Sequence, residues 1–210
     1  MFHSPKSYFV KAISPEVSSK FITAKAWMSA NLLEDFQYPW GEGVPPKTHF
    51  RALHTANTFY FQFEVEDHDL YAEVVENEQM EVAESDRVEL FFCQDEQLDP
   101  YYCLEMDYLG RLLSNSAKFH RQMDYNWYWP DGFHFQSEQT TTGFIVKGAI
   151  SKASLSALGL LKNNEMRVGI FRGQYSNKPN QAVRWISWID PKTPQPDFHV
   201  PSAFGILKLL

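Results

Sequence analysis

Hydrophobic and polar residues alternate in short runs along this 210-residue chain, and turn residues separate the runs. In the clearest run, at residues 58–66, every second residue from Phe59 to Phe63 is a phenylalanine, the pattern of a strand with one buried face. Similar runs lie at residues 8–13, 48–54, 87–94, 101–108, 133–138, 144–150, 166–171, 182–188 and 203–209. Residues 18–30 and 151–158 favour short helices instead. The pattern predicts an all-β fold, an antiparallel two-sheet β-sandwich of jelly-roll-like form.

The strand predicted at residues 87–94 has one apolar face and one face of mixed chemistry. The apolar face consists of Val88, Leu90 and Phe92, and the other of Arg87, Glu89, Phe91 and Cys93. A face that combines an acid, a base and an aromatic ring is typical of a ligand-binding surface. Because a carboxylate within a strand needs a partner, Glu89 is expected either to bind ligand hydroxyls or to pair with an arginine such as Arg51 or Arg172.

The following predicted strand, at residues 101–108, is expected to form a hairpin with residues 87–94. Pairing Cys93 with Cys103 also places Glu89 opposite Asp107. Two cysteines cannot form a disulfide framework for a domain of this size, so we favour two reduced, partly buried thiols.

Composition and charge exclude several classes of function. The net charge of −7 and the absence of a Lys/Arg run argue against binding to nucleic acid or to an anionic membrane. No segment approaches the ~20 apolar residues of a membrane span, and residues 1–14 lack the apolar core of a signal peptide, so a cytoplasmic location is expected. The length suits one domain, residues 1–210. Aromatic residues form 16% of the chain, more than a core requires, so some are expected in a groove.

A polar, proline-punctuated loop at residues 190–202 lies between an aromatic strand and an apolar one. It contains Phe198 and His199, and Trp188 lies at the end of the preceding strand. Loops held by a β scaffold commonly carry binding sites. Arg172, at the end of the strand before that, could hold two oxygens at once through its planar guanidinium, and Glu89, Glu105 or a sugar are its expected partners.

The densest aromatic stretch lies at residues 119–135 and includes Trp127 and Trp129. Most of its rings are expected to pack over the core. Trp127 or Trp129 is the expected exception, because an exposed ring offers a flat apolar surface to the C–H face of a pyranose.

Acidic residues cluster after the strand at residues 58–66. Calcium takes six to eight oxygen ligands, but the spacing here matches no strong calcium-loop motif. A solvated acidic loop is the favoured interpretation. The alternative is a structural calcium held by Asp67, Asp69 and Asp86.

Five segments occur in a defined order: residues 58–67 (TFYFQFEVED), 86–92 (DRVELFF), 101–110 (YYCLEMDYLG), 187–188 (SW) and 198–205 (FHVPSAFG). Together they resemble the family 9 carbohydrate-binding modules, which are related to β-sandwich domains of the DOMON type. The resemblance implies a two-sheet β-sandwich that binds glucan or xylan sugars or their chain ends, often with structural calcium, in polysaccharide catabolism.

The best-known members of that family clamp a sugar between two tryptophans. One precedes the Asp-x-Val-Glu segment and the other precedes the last Pro-x-x-Phe-Gly. In this chain Ala83 and Phe198 occupy those positions. Glu89 matches a family residue that bonds sugar hydroxyls, whereas Leu104 and Glu105 occupy the region of a family arginine. The missing ring is expected to come from the aromatic stretch.

The leading hypothesis is therefore non-catalytic binding of an oligo- or polysaccharide. The residues expected to bind it are Phe198, His199, Trp188, Glu89, Glu105 and Arg172, with Trp127 or Trp129. Two alternatives from other classes remain open. A haem-binding electron carrier would take its axial ligands from Met106, Met123, His120 and His199. A glycoside hydrolase would use Glu89 and Glu105 as its pair of carboxylates.

Overall fold

The computed structural model describes residues 5–14, 22–76, 79–178 and 181–210. Within these ranges the fold is all-β, with twelve strands and two short α-helices. The strands are β1 Ser7–Ala12, β2 Thr48–His54, β3 Thr58–Glu66, β4 Arg87–Cys93, β5 Tyr101–Asp107, β6 Leu112–Lys118, β7 Gln122–Asp124, β8 Phe133–Gln139, β9 Gly143–Ser151, β10 Glu165–Gln174, β11 Arg184–Ser187 and β12 Gly205–Leu209. The helices are α1 Ala24–Trp27 and α2 Lys152–Ala157. Neither described helix is long and apolar enough to cross a membrane.

The strands form one curled open sheet in the order β7-β6-β5-β4-β10-β12-β1-β2-β3-β9-β8, and β11 pairs with β10. Neighbouring strands are antiparallel except at β1, which is parallel to both of its neighbours. Its first four residues, Ser7 to Val10, pair with β12, and its last two, Lys11 and Ala12, pair with β2. The parallel pairing at β1 departs from the antiparallel prediction, because both of its partners come from distant parts of the chain rather than from hairpins.

The concave side of the curled sheet encloses the main core. Phe50 and Phe63 from β2 and β3 meet edge to face with ring centroids 5.0 Å apart. Leu90 and Phe92 from β4 belong to the same buried cluster. The alternation seen in the sequence thus directs one face of each strand into this core.

Two strands, β6 and β7, escaped prediction. The sequence of β6, LLSNSAK, contains Ser114 and Asn115, which are nevertheless only 2% and 1% exposed. Polar residues at buried positions erase the hydrophobic period on which strand recognition depends. This strand contributes to the site described below.

The predicted hairpin between β4 and β5 exists, but its predicted register was wrong by two residues. Cys93 pairs with Tyr101, and Glu89 lies opposite Glu105. The strand resumes directly after Pro100, so the connecting loop is shorter than the Cys93–Cys103 pairing required. A shift of two residues keeps every side chain on its predicted face. Both cysteines are free and buried.

Candidate functional site

A cavity of about 360 Å³ lies on the face of β4, β5 and β6 that points away from the main core. Its floor consists of Arg87, Glu89, Glu105 and Asn115. We call residues 190–200, which cover one side of the cavity, the roof loop. The volume is at the lower end of the range found for small-molecule sites.

On the floor, one arginine lies between two carboxylates. Arg87 Nε donates to Glu105 Oε2 over 2.7 Å, and Arg87 Nη2 lies 2.9 Å from Glu89 Oε1. Arg87 Nη1 also donates to the carbonyl of Ala83 over 2.8 Å. All three charged side chains are at least nine-tenths buried. Burial raises the pKa of Glu89 to about 8, although the positive charge of Arg87 opposes the change.

Two buried acceptors of the floor lack a hydrogen-bond donor within the described residues. Asn115 Oδ1 has no partner, and the ion-pair contact of Glu89 Oε1 with Arg87 does not have hydrogen-bond geometry. Leaving a buried acceptor unsatisfied costs ~1–3 kcal/mol, so such groups generally mark places where a ligand or water binds. Both atoms are themselves shielded from solvent, but they belong to residues that line the cavity.

Aromatic rings form one wall of the cavity, which we call the aromatic wall (Trp40, Trp185 and Phe198). Phe198 stands almost perpendicular to Trp185, with centroids 5.7 Å apart, and lies 5.5 Å from Trp40. Behind it, Phe198 stacks on Phe171 of β10 at 4.0 Å. Phe198 thus packs against three other rings, and these contacts hold it in the wall.

A glycine on β10 makes room for the junction of floor and wall. A Cβ at Gly173 would lie 2.8 Å from Arg87 Nη1 and 3.4 Å from the ring of Trp185. The guanidinium of Arg87 lies over that ring, 5.4 Å from its centroid. A residue without a side chain at this position therefore allows the cation and the aromatic ring to pack together.

Polar contacts to other parts of the chain hold the roof loop in place. The hydroxyl of Tyr101 lies 3.0 Å from His199 Nδ1. Asp197 accepts from Arg121 over 2.9 Å and lies 2.7 Å from His120 Nε2. Burial lowers the pKa of His199 to about 3, so its imidazole is neutral at physiological pH.

The structure brings four of the candidate binding residues together and places the other four elsewhere. Those lining the cavity are Phe198, His199, Glu89 and Glu105. Trp188 is 1% exposed and belongs to the main core. Trp127 and Trp129 pack over that core against Tyr102, with centroids 4.8 Å and 6.3 Å from its ring. The two rings expected to be the exceptions thus cover the core, whereas Tyr125 of the same stretch lines the cavity.

Arg172 lies on the core side of β10, away from the cavity. Its expected partners were Glu89, Glu105 or a sugar, but it forms an ion pair with Asp67 instead. Since Arg172 alternates with Phe171 along the strand, it points to the side opposite Glu89. The cation that pairs with Glu89 is Arg87, two residues away on the same strand.

The three acidic residues proposed for calcium do not form a cation site. Asp67 accepts from Arg172 and from Gln174, and Asp86 accepts from two backbone amides. Burial raises the pKa of Asp86 to about 7, whereas Asp69 accepts from residues after β10. No group of three or more potential ligand side chains converges within the described residues. The oxygens that a calcium ion would need are thus already occupied by protein donors.

Several residues of the site were absent from the sequence-based set of candidates. Arg87 was placed on the correct face but was not chosen, and Asn115 lies on a strand that was not recognised. Trp185 differs from Trp188 by an odd number of positions, so a strand pattern places one of them on each side. The sequence signal that could have selected Trp185 was a tryptophan on a strand near the face that carries Arg87. Trp40 lies in a loop before β2, and no sequence pattern indicated that it would line the cavity.

Comparison with known proteins identifies the family. A family model described as carbohydrate family 9 binding domain-like matches residues 22–210, which include the whole cavity. The chain belongs to this family. The match confirms the resemblance found in the sequence. No curated protein matches the sequence of this family 9 domain.

Solved structures show the same fold. A candidate carbohydrate-binding protein from Bacteroides uniformis is 20% identical, with a TM-score of 0.70 over 99% of this chain and 100% of the other. A family 9 carbohydrate-binding module from Caldicellulosiruptor kristjanssonii, solved with glucose, is 17% identical, with a TM-score of 0.60 over 98% and 96%. A family 9 module from the same organism, solved with cellotriose, is 17% identical, with a TM-score of 0.60 over 97% and 93%. At this level of identity the likeness establishes the fold.

Proposed function

We propose that this family 9 domain binds carbohydrate without catalysis, and that its cavity receives a glucan- or xylan-type oligosaccharide or chain end. One observation carries the proposal. Asn115 and Glu89, each of which carries a buried acceptor without a donor, line a cavity that also has an aromatic wall. Sugar hydroxyls are donors, and the C–H face of a pyranose is apolar, so a sugar satisfies both surfaces at once.

The ion pairs of the cavity argue against an anionic ligand. Arg87 pairs with Glu105 on the floor, and Arg121 pairs with Asp197 at the rim. An anionic ligand would have to break one of these pairs to gain a cation. The modules from Caldicellulosiruptor kristjanssonii, which share the fold, bind glucose and cellotriose.

Within the proposed site, Glu89, Glu105 and Asn115 bind sugar hydroxyls, and Phe198 supplies the stacking surface beside His199. Haem ligation and hydrolysis have less support. Met106 is fully buried in the main core, on the other side of the sheet from His199. Glu89 and Glu105 share one arginine on the same surface instead of flanking a bond.

The proposal extends to the architecture and to the partner. The two halves of the curled sheet, joined at β1, act as the facing layers of a β-sandwich, and the sugar binds on the outer face of one layer. With a net charge of −7, the domain is expected to bind neither nucleic acid nor anionic membranes.

Calorimetric titration with cellotriose, xylotriose and mannotriose tests the proposal. Asn115→Leu and Phe198→Ala should each weaken the affinity of the preferred sugar by ~1–3 kcal/mol, because they remove a buried acceptor and a stacking ring. Tyr128→Ala is the matched control, since Tyr128 is 68% exposed and does not line the cavity. The absence of measurable binding heat with glucans, xylans and mannans would refute carbohydrate binding at this site.

A further inference from the structure

The floor of the cavity contains more buried acid than buried base. Arg87, Glu89 and Glu105 are 4%, 2% and 8% exposed. Glu105 makes the well-formed hydrogen bond to Arg87, whereas Glu89 only lies beside the guanidinium with Oε1 unsatisfied. One guanidinium can balance one carboxylate, and a second buried anion at this place would be uncompensated.

The other groups around Glu89 do not supply the missing positive charge. Phe171, its cross-strand neighbour on β10, is apolar. Cys103 from β5 and Tyr175 after β10 are neutral near pH 7, because burial raises the pKa of both. Arg121 from the turn before β7 reaches the rim but is bound to Asp197. On the roof loop, burial lowers the pKa of His199, so this imidazole is also neutral.

We propose that Glu89 binds the ligand as a neutral carboxylic acid, which donates its proton to a sugar oxygen and accepts from a sugar hydroxyl. This inference rests on the proposed function. It gives the floor a donor opposite Glu105, in a cavity that Asn115 also lines. A ring or glycosidic oxygen can only accept, so a protonated Glu89 can bind parts of a sugar that a carboxylate would repel. The raised pKa of Glu89, about 8, agrees with this protonation state.

Sugar binding should therefore weaken when Glu89 ionises. With cellotriose as the probe, calorimetry should give a constant affinity from pH 6 to 7 and a roughly tenfold loss for each pH unit above about 8. Glu89→Gln keeps the shape and the neutral charge of the acid. Its affinity at pH 6.5 should stay within about threefold of the parent value and should be flat to pH 9.5.

Asn115→Leu serves as the matched control, because it should lower the affinity at every pH without moving the midpoint of the profile. Two results would overturn the inference: a parent affinity that is unchanged up to pH 9.5, or a loss of binding in Glu89→Gln at pH 6.5 that is as large as in Asn115→Leu.

A second measurement does not depend on the sugar. The folded state keeps the Glu89 proton up to about pH 8, whereas an unfolded carboxyl releases it above about 4.5. The parent protein should therefore lose stability relative to Glu89→Gln as the pH rises from 5 to 8. A constant difference over this range overturns the neutral acid, whatever the sugar does. If the difference appears but no oligosaccharide binds at any pH, the proposed function fails while the protonated Glu89 stands.

Discussion

Replacement of Arg172 by methionine tests whether this residue stabilises the fold or binds the ligand. Arg172 is fully buried, and its Nη1 donates to Thr48 Oγ1 over 3.2 Å and to the carbonyl of Glu66 over 3.4 Å. Its Nη2 pairs with Asp67. Methionine retains the apolar stem and removes the cation, so Asp67 is left with only the donors on Gln174 and its own loop.

Breaking a buried ion pair by removal of one partner typically costs ~3–5 kcal/mol. Because Asp67 keeps two hydrogen-bond donors, we expect the free energy of unfolding of Arg172→Met to fall by about 3 kcal/mol. Arg167→Met is the matched control. Arg167 pairs with Glu96, which is 68% exposed, so its loss should cost about 0–1 kcal/mol.

Urea unfolding at 15 °C measures both variants, and calorimetry with cellotriose measures the affinity of the folded fraction. The affinity of Arg172→Met should equal that of the parent. Calcium and EDTA should give the same unfolding midpoint for the parent, because the guanidinium already holds the oxygen of Asp67. Weakened sugar binding with a stability loss below ~1 kcal/mol would refute the structural assignment. If Arg172→Met does not fold, Asp67→Asn provides the same comparison from the other partner.

Three further predictions concern the cavity. Ala83→Trp should tighten cellotriose binding by about 1 kcal/mol, roughly fivefold, because Ala83 lines the cavity where relatives have a stacking ring; an unchanged Kd in calorimetry would contradict this. Gly173→Ala should lower both stability and affinity, since its Cβ would lie 2.8 Å from Arg87 Nη1, with an overpacking cost of ~1–3 kcal/mol in thermal unfolding. Removal of His199 changes the response to acid. In the unfolded chain the His199 imidazole binds a proton below about pH 6.5, whereas in the folded protein it does so only below about pH 3. The parent protein therefore loses stability as the pH falls from 6.5 to 3. His199→Gln should lose less between pH 7 and pH 4, and equal slopes would contradict the assignment.

The strands and their buried faces were predictable from the sequence where hydrophobic and polar residues alternate with a period of two. In β3 the alternating phenylalanines fixed the buried face, and in β4 the same rule placed Glu89 on the face that borders the cavity. The register of the β4–β5 hairpin depends on the length of the turn, which the pattern does not encode. The polar residues of β6 break the hydrophobic alternation, so this strand was not predicted. Its buried Asn115 can be recognised as a site residue only once the cavity is known.

Long-range pairing limited the prediction of the site. Arg172 was expected to meet Glu89, Glu105 or a sugar, and only the fold shows that Asp67 is its partner. Likewise, the odd spacing of Trp185 and Trp188 places them on opposite sides, but only the fold shows that Trp185 lies beside Arg87 and that Trp188 is buried. The family resemblance identified two of the positions that line the cavity, Ala83 and Phe198, although the composition of the aromatic wall differs from the tryptophan clamp.

The position of β1 has a consequence for biosynthesis. Ser7 pairs with Ile206, and Lys11 pairs with Leu53, so β1 pairs both with a segment translated soon after it and with one translated much later. On the ribosome, the edge of β1 that will face β12 has no native partner until translation reaches Leu209. An unpaired edge of this kind can pair with another nascent chain. Premature termination before β12 is therefore expected to yield aggregates, whereas a deletion in the roof loop leaves the pairing of β1 with β2 and β12 intact.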